Sequence, residues 1–403
     1  MFTEEVTDLQ IYADNAATTK MSRTAIDAML PYMEEYYGNP SSLHSVGQKA
    51  AEALAEARET VAGLLGCQAR EIIFTSGGSE ADNQAIISAA ALGEKKGKKH
   101  IISTAFEHHA VLHTLKKLEK YGFEVTLLPV HENGIVSARE VADAIREDTC
   151  LVTVMFANNE TGSIQPIAEI GRVCREKGVL FHTDAVQAAG HLHINVQEQN
   201  IDMLSLSAHK FHGPKGVGLL YAKRGIVLTN IIEGGAQERG KRAGTENIPG
   251  IVSMAAALKE ACEHMDENAA RVTALRDKLI EGLETIPHSA LNGDRTNRLP
   301  GNVNFCFEGI EGEGILLLLD AKGICASSGS ACTSGSLDPS HVLLAIGRPH
   351  EIAHGSLRLS LCEWNTEEEV DYMLEEIPKV IEYLRSMSPV WKDLQAGKKK
   401  FML

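Results

Sequence analysis

Several positions combine residue types that do chemistry with neighbours that would let them do it. Cys332 lies in ASSGSACTSGS, a run of Ser, Gly and Ala whose lack of large side chains predicts a mobile loop. A thiol nucleophile that serves two partners in turn needs such freedom, although a cysteine in a flexible loop is also compatible with no role at all. Lys210, in SLSAHKFHGPKG, follows an apolar strand and precedes a Gly-Pro turn. A lysine at a buried strand end loses hydration and its pKa falls, which is what a Schiff-base amine needs. The alternative is a snorkelling surface lysine of the kind Lys215 would be.

Asp184 ends a strand in FHTDAVQ, with Gln187 three residues on, so both can reach a ligand at the carboxyl edge of a sheet. A carboxylate there can keep a pyridine nitrogen protonated; it can equally cap a helix. The turn TSGGSEADN places Gly77, Gly78 and Ser79 before a helix, with Ser79 expected at the N-cap. Its freed N–H groups, the positive helix end and the hydroxyl favour an anion such as phosphate, although plain caps share the same composition. His108 and His109 follow a strand in TAFEHHAV, where one imidazole can stack on an aromatic ring and move protons, or be an ordinary hydrogen-bonded histidine like His191 and His193. His108, His109 and His113 lack the companions expected of a metal site. Arg358, inside SLRLSL, requires an anion, either a substrate carboxylate or an internal Asp or Glu.

These residues sit between elements that alternate short apolar strands with amphipathic helices, an α/β pattern without internal repeats. Strands are predicted at 71–75, 100–104, 124–130, 150–157, 179–185, 202–208 and 216–222, several apolar on both faces as a covered sheet requires. Helices are predicted at 46–65, 79–91, 108–121, 138–146, 166–177 and 250–286, with Gly93, Gly122 and Gly178 as terminators. After about residue 260 the character changes, with the strands VNFCF and LRLSL and a helix from Thr366 to Ser386 forming a second, smaller α+β unit.

Composition removes whole classes of function. The formal net charge of −15 opposes nucleic acid as a partner. No apolar run spans a bilayer and the start MFTEEVTDLQ is acidic, so neither membrane nor export is expected and the cytoplasm is the expected location. Eight cysteines without CxxC spacing argue against a disulfide framework or zinc ribbon, and most are expected to be buried thiols.

Taken in order, YADNAATT, TSGGSEADN, EHHAV, ANNETG, HTDAVQ, SAHKFHGPKG, ERGKRAGTEN, SSGSACTSG and SLRLSL resemble the cysteine desulfurases, from Tyr12 to about Trp391. These are class V aminotransferases among the fold-type I pyridoxal-phosphate enzymes. The resemblance implies a large domain (15–260) with a mainly parallel seven-stranded sheet, and a small α+β domain (1–14 and 261–403) carrying the cysteine loop. It implies that Lys210 is the Schiff-base lysine, that Asp184 pairs with the pyridine nitrogen and that His108 stacks on the ring. Gly78, Ser79, Ser207 and His209 would bind the cofactor phosphate, while Asn159 and Gln187 contact the ring oxygen and its neighbours. Thr245 would reach the phosphate of the other subunit's cofactor in a homodimer. Arg358, with Asn159, would hold the substrate, L-cysteine, and Cys332 would accept its sulfur as a persulfide while alanine leaves.

The long cysteine loop resembles the group that delivers sulfur to a scaffold for iron–sulfur cluster assembly. The one metal role this leaves open is Cys332 as a transient cluster ligand. Ser79 stands where the family often has threonine, which preserves the hydroxyl, and the short basic tail after Trp391 departs from relatives that dock a scaffold with their tails. A selenocysteine lyase, another class V enzyme or a non-catalytic sulfur scaffold are the alternatives.

Overall fold

The computed structural model describes residues 10–328 and 339–403; Cys332 and residues 1–9 lie outside them. Among the described residues, the strands are β1 (Ile11–Tyr12), β2 (Ile72–Thr75), β3 (His100–Thr104), β4 (Glu124–Leu128), β5 (Thr149–Thr153), β6 (Leu180–Asp184), β7 (Met203–Ser207), β8 (Gly218–Ala222), β9 (Ser289–Leu291), β10 (Asn302–Phe307), β11 (Ile324–Cys325) and β12 (Ser356–Ser360). The helices are α1 (Arg23–Glu34), α2 (Ser45–Leu65), α3 (Gly78–Glu94), α4 (His109–Glu119), α5 (Ala138–Ala144), α6 (Ile167–Lys177), the short α7 (Gln237–Gly240), α8 (Ile248–Glu263), α9 (Met265–Leu283), α10 (Gly312–Asp320), α11 (His341–Ala345), α12 (His350–Ala353), α13 (Glu367–Met387) and α14 (Pro389–Gln395).

Each of the seven expected strands is present, and together they form one sheet in the order β2-β8-β7-β6-β5-β3-β4. All run parallel except β8, which is antiparallel to both of its neighbours. β2, β3, β5, β7 and β8 are buried along their whole length, which explains their apolar character on both faces. A second sheet, β12-β10-β9, and the pair β1-β11 pack with α9, α10 and α13 around a separate hydrophobic cluster that includes Phe305, Phe307, Leu359 and Ile377. Ile11 belongs to that cluster because β1 pairs in parallel with β11, so after β1 the chain leaves this core and crosses to the other.

Three local expectations are corrected. Ser79 is not the N-cap of α3. Gly77 is, at φ +152 where a Cβ is poorly tolerated, and Ser79 becomes the second helical residue. Gly93 does not end α3 but lies buried within it, where a Cβ would stand 2.5 Å from Cys150 Cβ, so the glycine allows helix and strand to approach. The expected helix 250–286 is two helices, broken at His264. α8 packs on α1 and α2 whereas α9 packs on β10 and α13, so the chain turns as it passes from one core to the other. Gly178 does cap its helix in the left-handed conformation.

Candidate active site

Because β2, β3, β5, β6 and β7 are parallel, their carboxyl ends share one edge of the sheet, and the segments that leave them converge there. Lys210 closes a single 3₁₀ turn, Ala208–Lys210, immediately after β7. Its Nζ donates to the carbonyls of Ala16 at 2.6 Å and Ala17 at 2.8 Å, while its own carbonyl meets His191 Nε2 at 3.0 Å. Lys215, by contrast, is exposed.

Asp184, the last residue of β6, is buried, and its Oδ1 accepts the Val186 N–H at 2.9 Å. Burial pushes its carboxyl up to about 6, against the pull of that hydrogen bond and of the Lys210 charge. His108 is the N-cap of α4, with Nδ1 accepting the Ala110 N–H at 3.1 Å. Burial, then Lys210 and the neighbouring histidines, lower it to about 4, so at neutral pH the ring is uncharged and carries its proton on Nε2. Gln187 is buried and donates from Nε2 to the Ala16 carbonyl at 2.9 Å. His209, likewise lowered to about 4 by burial and by Lys210, pairs through Nδ1 with Thr18 Oγ1 at 3.1 Å.

The glycine turn after β2 is clamped against the sheet. A Cβ on Gly78 would stand 2.5 Å from Val186 Cγ2, one on Gly218 would stand 2.7 Å from Gly77 Cα, and Gly77 faces Ser207 Oγ. Glu80 fixes the turn by accepting the Ser76 N–H at 2.8 Å and by pairing with Arg242, which brings the ERGKRAGTEN segment alongside. Thr245 in that segment is exposed, and no hydrogen bond joins it to the other site residues among those described.

Arg358, in β12, is 2% exposed. It donates from one terminal nitrogen to the Asn159 carbonyl and from the other to Asp14 Oδ1, both at 2.9 Å, while its Nε has no partner among the described residues. Of the two anions the sequence allows for this arginine, an internal acid and a bound carboxylate, the internal acid is present as Asp14. Asp14 takes one edge of the guanidinium and leaves the other edge incompletely used.

One segment, residues 14–18, therefore touches four of the site residues: Asp14 meets Arg358, Ala16 and Ala17 meet Lys210, Ala16 meets Gln187, and Thr18 meets His209. The YADNAATT motif marked this stretch without revealing its contacts. His191, set aside as an ordinary histidine, lies directly behind Lys210.

The described cysteines are all free thiols, and burial pushes each of them up, Cys67, Cys174 and Cys362 to about 12, Cys150 and Cys306 to about 11, and Cys262 and Cys325 less far. None of these seven is set up as a nucleophile.

The residues fit a phosphorylated pyridine. A glycine turn opening a helix, a buried carboxyl and an amine near enough to shift that carboxyl's proton affinity stand together at one strand edge.

The aminotransferase class-V family pattern matches residues 11–373. The chain is 56% identical over 394 residues to a protein from Clostridium botulinum named cysteine desulfurase IscS, covering 97% of this chain and 99% of that one. It is 55% identical to a protein of the same name from Methanosarcina thermophila, covering 94% of each. Among solved structures, a NifS-like protein superposes with a TM-score of 0.88 at 40% identity, over 93% of this chain and 100% of the other. By sequence, fold and the grouping of residues at the sheet edge, the chain belongs to the aminotransferase class-V family, in the branch whose named members are cysteine desulfurases.

Proposed function

We propose that this chain is a pyridoxal-phosphate-dependent cysteine desulfurase that converts L-cysteine to L-alanine, holds the sulfur as a persulfide on Cys332 and passes it to an acceptor. The observation that carries the reading is the placement of Lys210, buried Asp184 and neutral His108 at one strand edge. When bound, the cofactor's ring supplies an electron sink that weakens bonds at the substrate α-carbon.

The protein's own residues prepare that chemistry. Asp184 presents an anion to the ring nitrogen, because above about pH 6 its carboxyl is charged. His108 offers an uncharged ring face and an Nε2–H donor. Gly78, Ser79, Ser207 and His209 would hold the phosphate, and Asn159 and Gln187 would contact the ring oxygen and its neighbours. Arg358, whose buried Nε has no partner among the described residues, is the cation for the substrate carboxylate, held in aim by Asp14. Cys332 thiolate attacks the substrate sulfur: the new S–S bond takes that sulfur, and the electron pair of the broken C–S bond remains with the carbon skeleton, which takes up a proton and leaves as alanine. A related solved structure carries the description "SspA in complex with cysteine" and is 38% identical, with a TM-score of 0.77, which supports this substrate class.

Residues 15–260 form the large cofactor-binding domain in this reading, with 1–14 and 261–403 as the small domain; the two hydrophobic clusters support that division. The active unit is a homodimer in which Thr245 reaches the other subunit's cofactor phosphate. The exposed apolar side chains of Leu43, Tyr37 and Met33 supply a surface for it. Among the described residues no helix is long and apolar enough to cross a membrane. A cytoplasmic location and an iron–sulfur scaffold as sulfur acceptor complete the proposal.

Protein loaded with pyridoxal phosphate and given L-cysteine is expected to release alanine, and Cys332 is expected to gain the mass of one sulfur atom. A colourless protein, or a Cys332→Ala variant with undiminished sulfur release, overturns the reading.

A further inference from the structure

A second carboxyl stands beside Asp184. Asp82, on the second turn of α3, is 1% exposed, and its Oδ1 has no hydrogen-bond partner among the described residues. One polar atom each of Asp82, Asp184 and His108 lie within 4.8 Å of one another. From β7, Ser205 hydrogen-bonds to Asp82. From β6, His182 Nε2 lies 3.7 Å from Asp82 Oδ1, but this ring is committed to Thr153 Oγ1 at 2.9 Å and Ser205 Oγ at 3.0 Å. Burial lowers His182 to about 3, so it brings no charge. Glu107, ahead of α4, is pushed up to about 8 by burial and is neutral as well. The cation of the cluster, Lys210, acts on Asp184.

Two carboxyls this close in a dry environment do not both ionise near neutral pH. Their partners decide which keeps the charge. Asp184 has the Val186 N–H and the nearby ammonium, whereas Asp82 has a serine hydroxyl and faces the charge on Asp184. Burial, then Asp184, push Asp82 well above the usual carboxylate range.

We infer that Asp82 is a positioning residue that keeps its proton at working pH and thereby leaves Asp184 as the single anion of the pair, facing the cofactor ring nitrogen. This rests on the reading of Asp184 as the ring nitrogen's partner. Asp82 touches neither substrate nor reacting atoms in this role; it acts by what it does not carry.

The test compares wild-type holoenzyme with Asp82→Asn and Asp82→Leu. Asn is neutral and of the same shape, so cofactor affinity at pH 7 is expected to stay within about two-fold of wild type. The infrared spectrum of wild type should contain a protonated-carboxyl stretch that Asp82→Asn lacks.

The melting temperature adds a sign. A carboxyl raised in the folded state stabilises fully below its unfolded pKa, and this contribution is lost as pH rises toward the folded value. The Asn variant should therefore gain on wild type as pH rises from about 4 to 8. Asp82→Leu also removes the Ser205 partner, so it should follow the same pH trend against wild type while lying below Asp82→Asn by a nearly pH-independent amount.

An Asn variant with at least about ten-fold weaker cofactor affinity at pH 7, no infrared difference and a flat melting gap shows Asp82 to be an anion and overturns the inference. An Asp184→Asn control that keeps full cofactor affinity would instead strike at the reading of Asp184, leaving the infrared result to stand for Asp82 by itself.

Discussion

At the scale of single residues, the site depends on groups whose charge is set by burial. In the proposed reading Asp184 must be anionic to pair with a protonated ring, and burial pushes its carboxyl up to about 6, so cofactor affinity is expected to fall up to about ten-fold per pH unit below that point. Equilibrium dialysis across pH 5 to 7 measures this, and Asp184→Asn should both flatten the profile and lower turnover by about two orders of magnitude. Lys210→Ala is expected to keep the fold and lose covalent attachment, seen by borohydride reduction and peptide mapping; label on Lys215 instead would contradict the assignment. Much of this was legible from residue type and neighbours. A lysine and an aspartate, each just after an apolar run, announced the strand edge, whereas Asp82 did not stand out, because a carboxyl inside a helix reads as a solvated one until its burial is seen.

At the scale of elements, most of the seven strands were readable because burial on both faces leaves continuous apolar runs, while the mainly parallel order was what the family resemblance implied and the antiparallel β8 was not foreseen. The break at His264 was not readable, since no proline or glycine marks it and both halves keep helical periodicity; the cause is a change of packing partner. The cap at Gly77 was misplaced by two residues because a serine is the commoner N-cap, and only the positive φ reveals why glycine occupies the position. Gly77→Ala is expected to cost about 1–3 kcal/mol and to weaken phosphate binding, both measurable by thermal unfolding with and without cofactor. The 238–247 segment is anchored by Glu238, which takes both terminal nitrogens of Arg58 at 2.7 and 2.6 Å and the Phe74 N–H at 3.0 Å. Glu238→Ala leaves Arg58 buried without its counter-ion and should cost about 3–5 kcal/mol in chemical denaturation.

At the scale of the whole molecule, two separate hydrophobic clusters support two domains, and the apolar side chains of Leu43, Tyr37 and Met33 are exposed among the described residues. Light scattering should therefore report a dimer, and Leu43→Asp should shift it toward monomer with a loss of cofactor retention if Thr245 serves the other subunit. The stretch from Asp14 to Thr18 has a further consequence. It rests on the arginine of the second sheet at one end and on the lysine and histidine that follow β7 at the other. In the proposed reading, a Lys210 amine taken up in a covalent attachment can no longer give the same protons to Ala16 and Ala17, so these five residues are expected to resettle, with Asp14 and its bond to Arg358 among them. Loading one ligand thus retunes the grip on the next, and amide exchange over this short ribbon, compared with and without the prosthetic group, is where that conversation would be overheard.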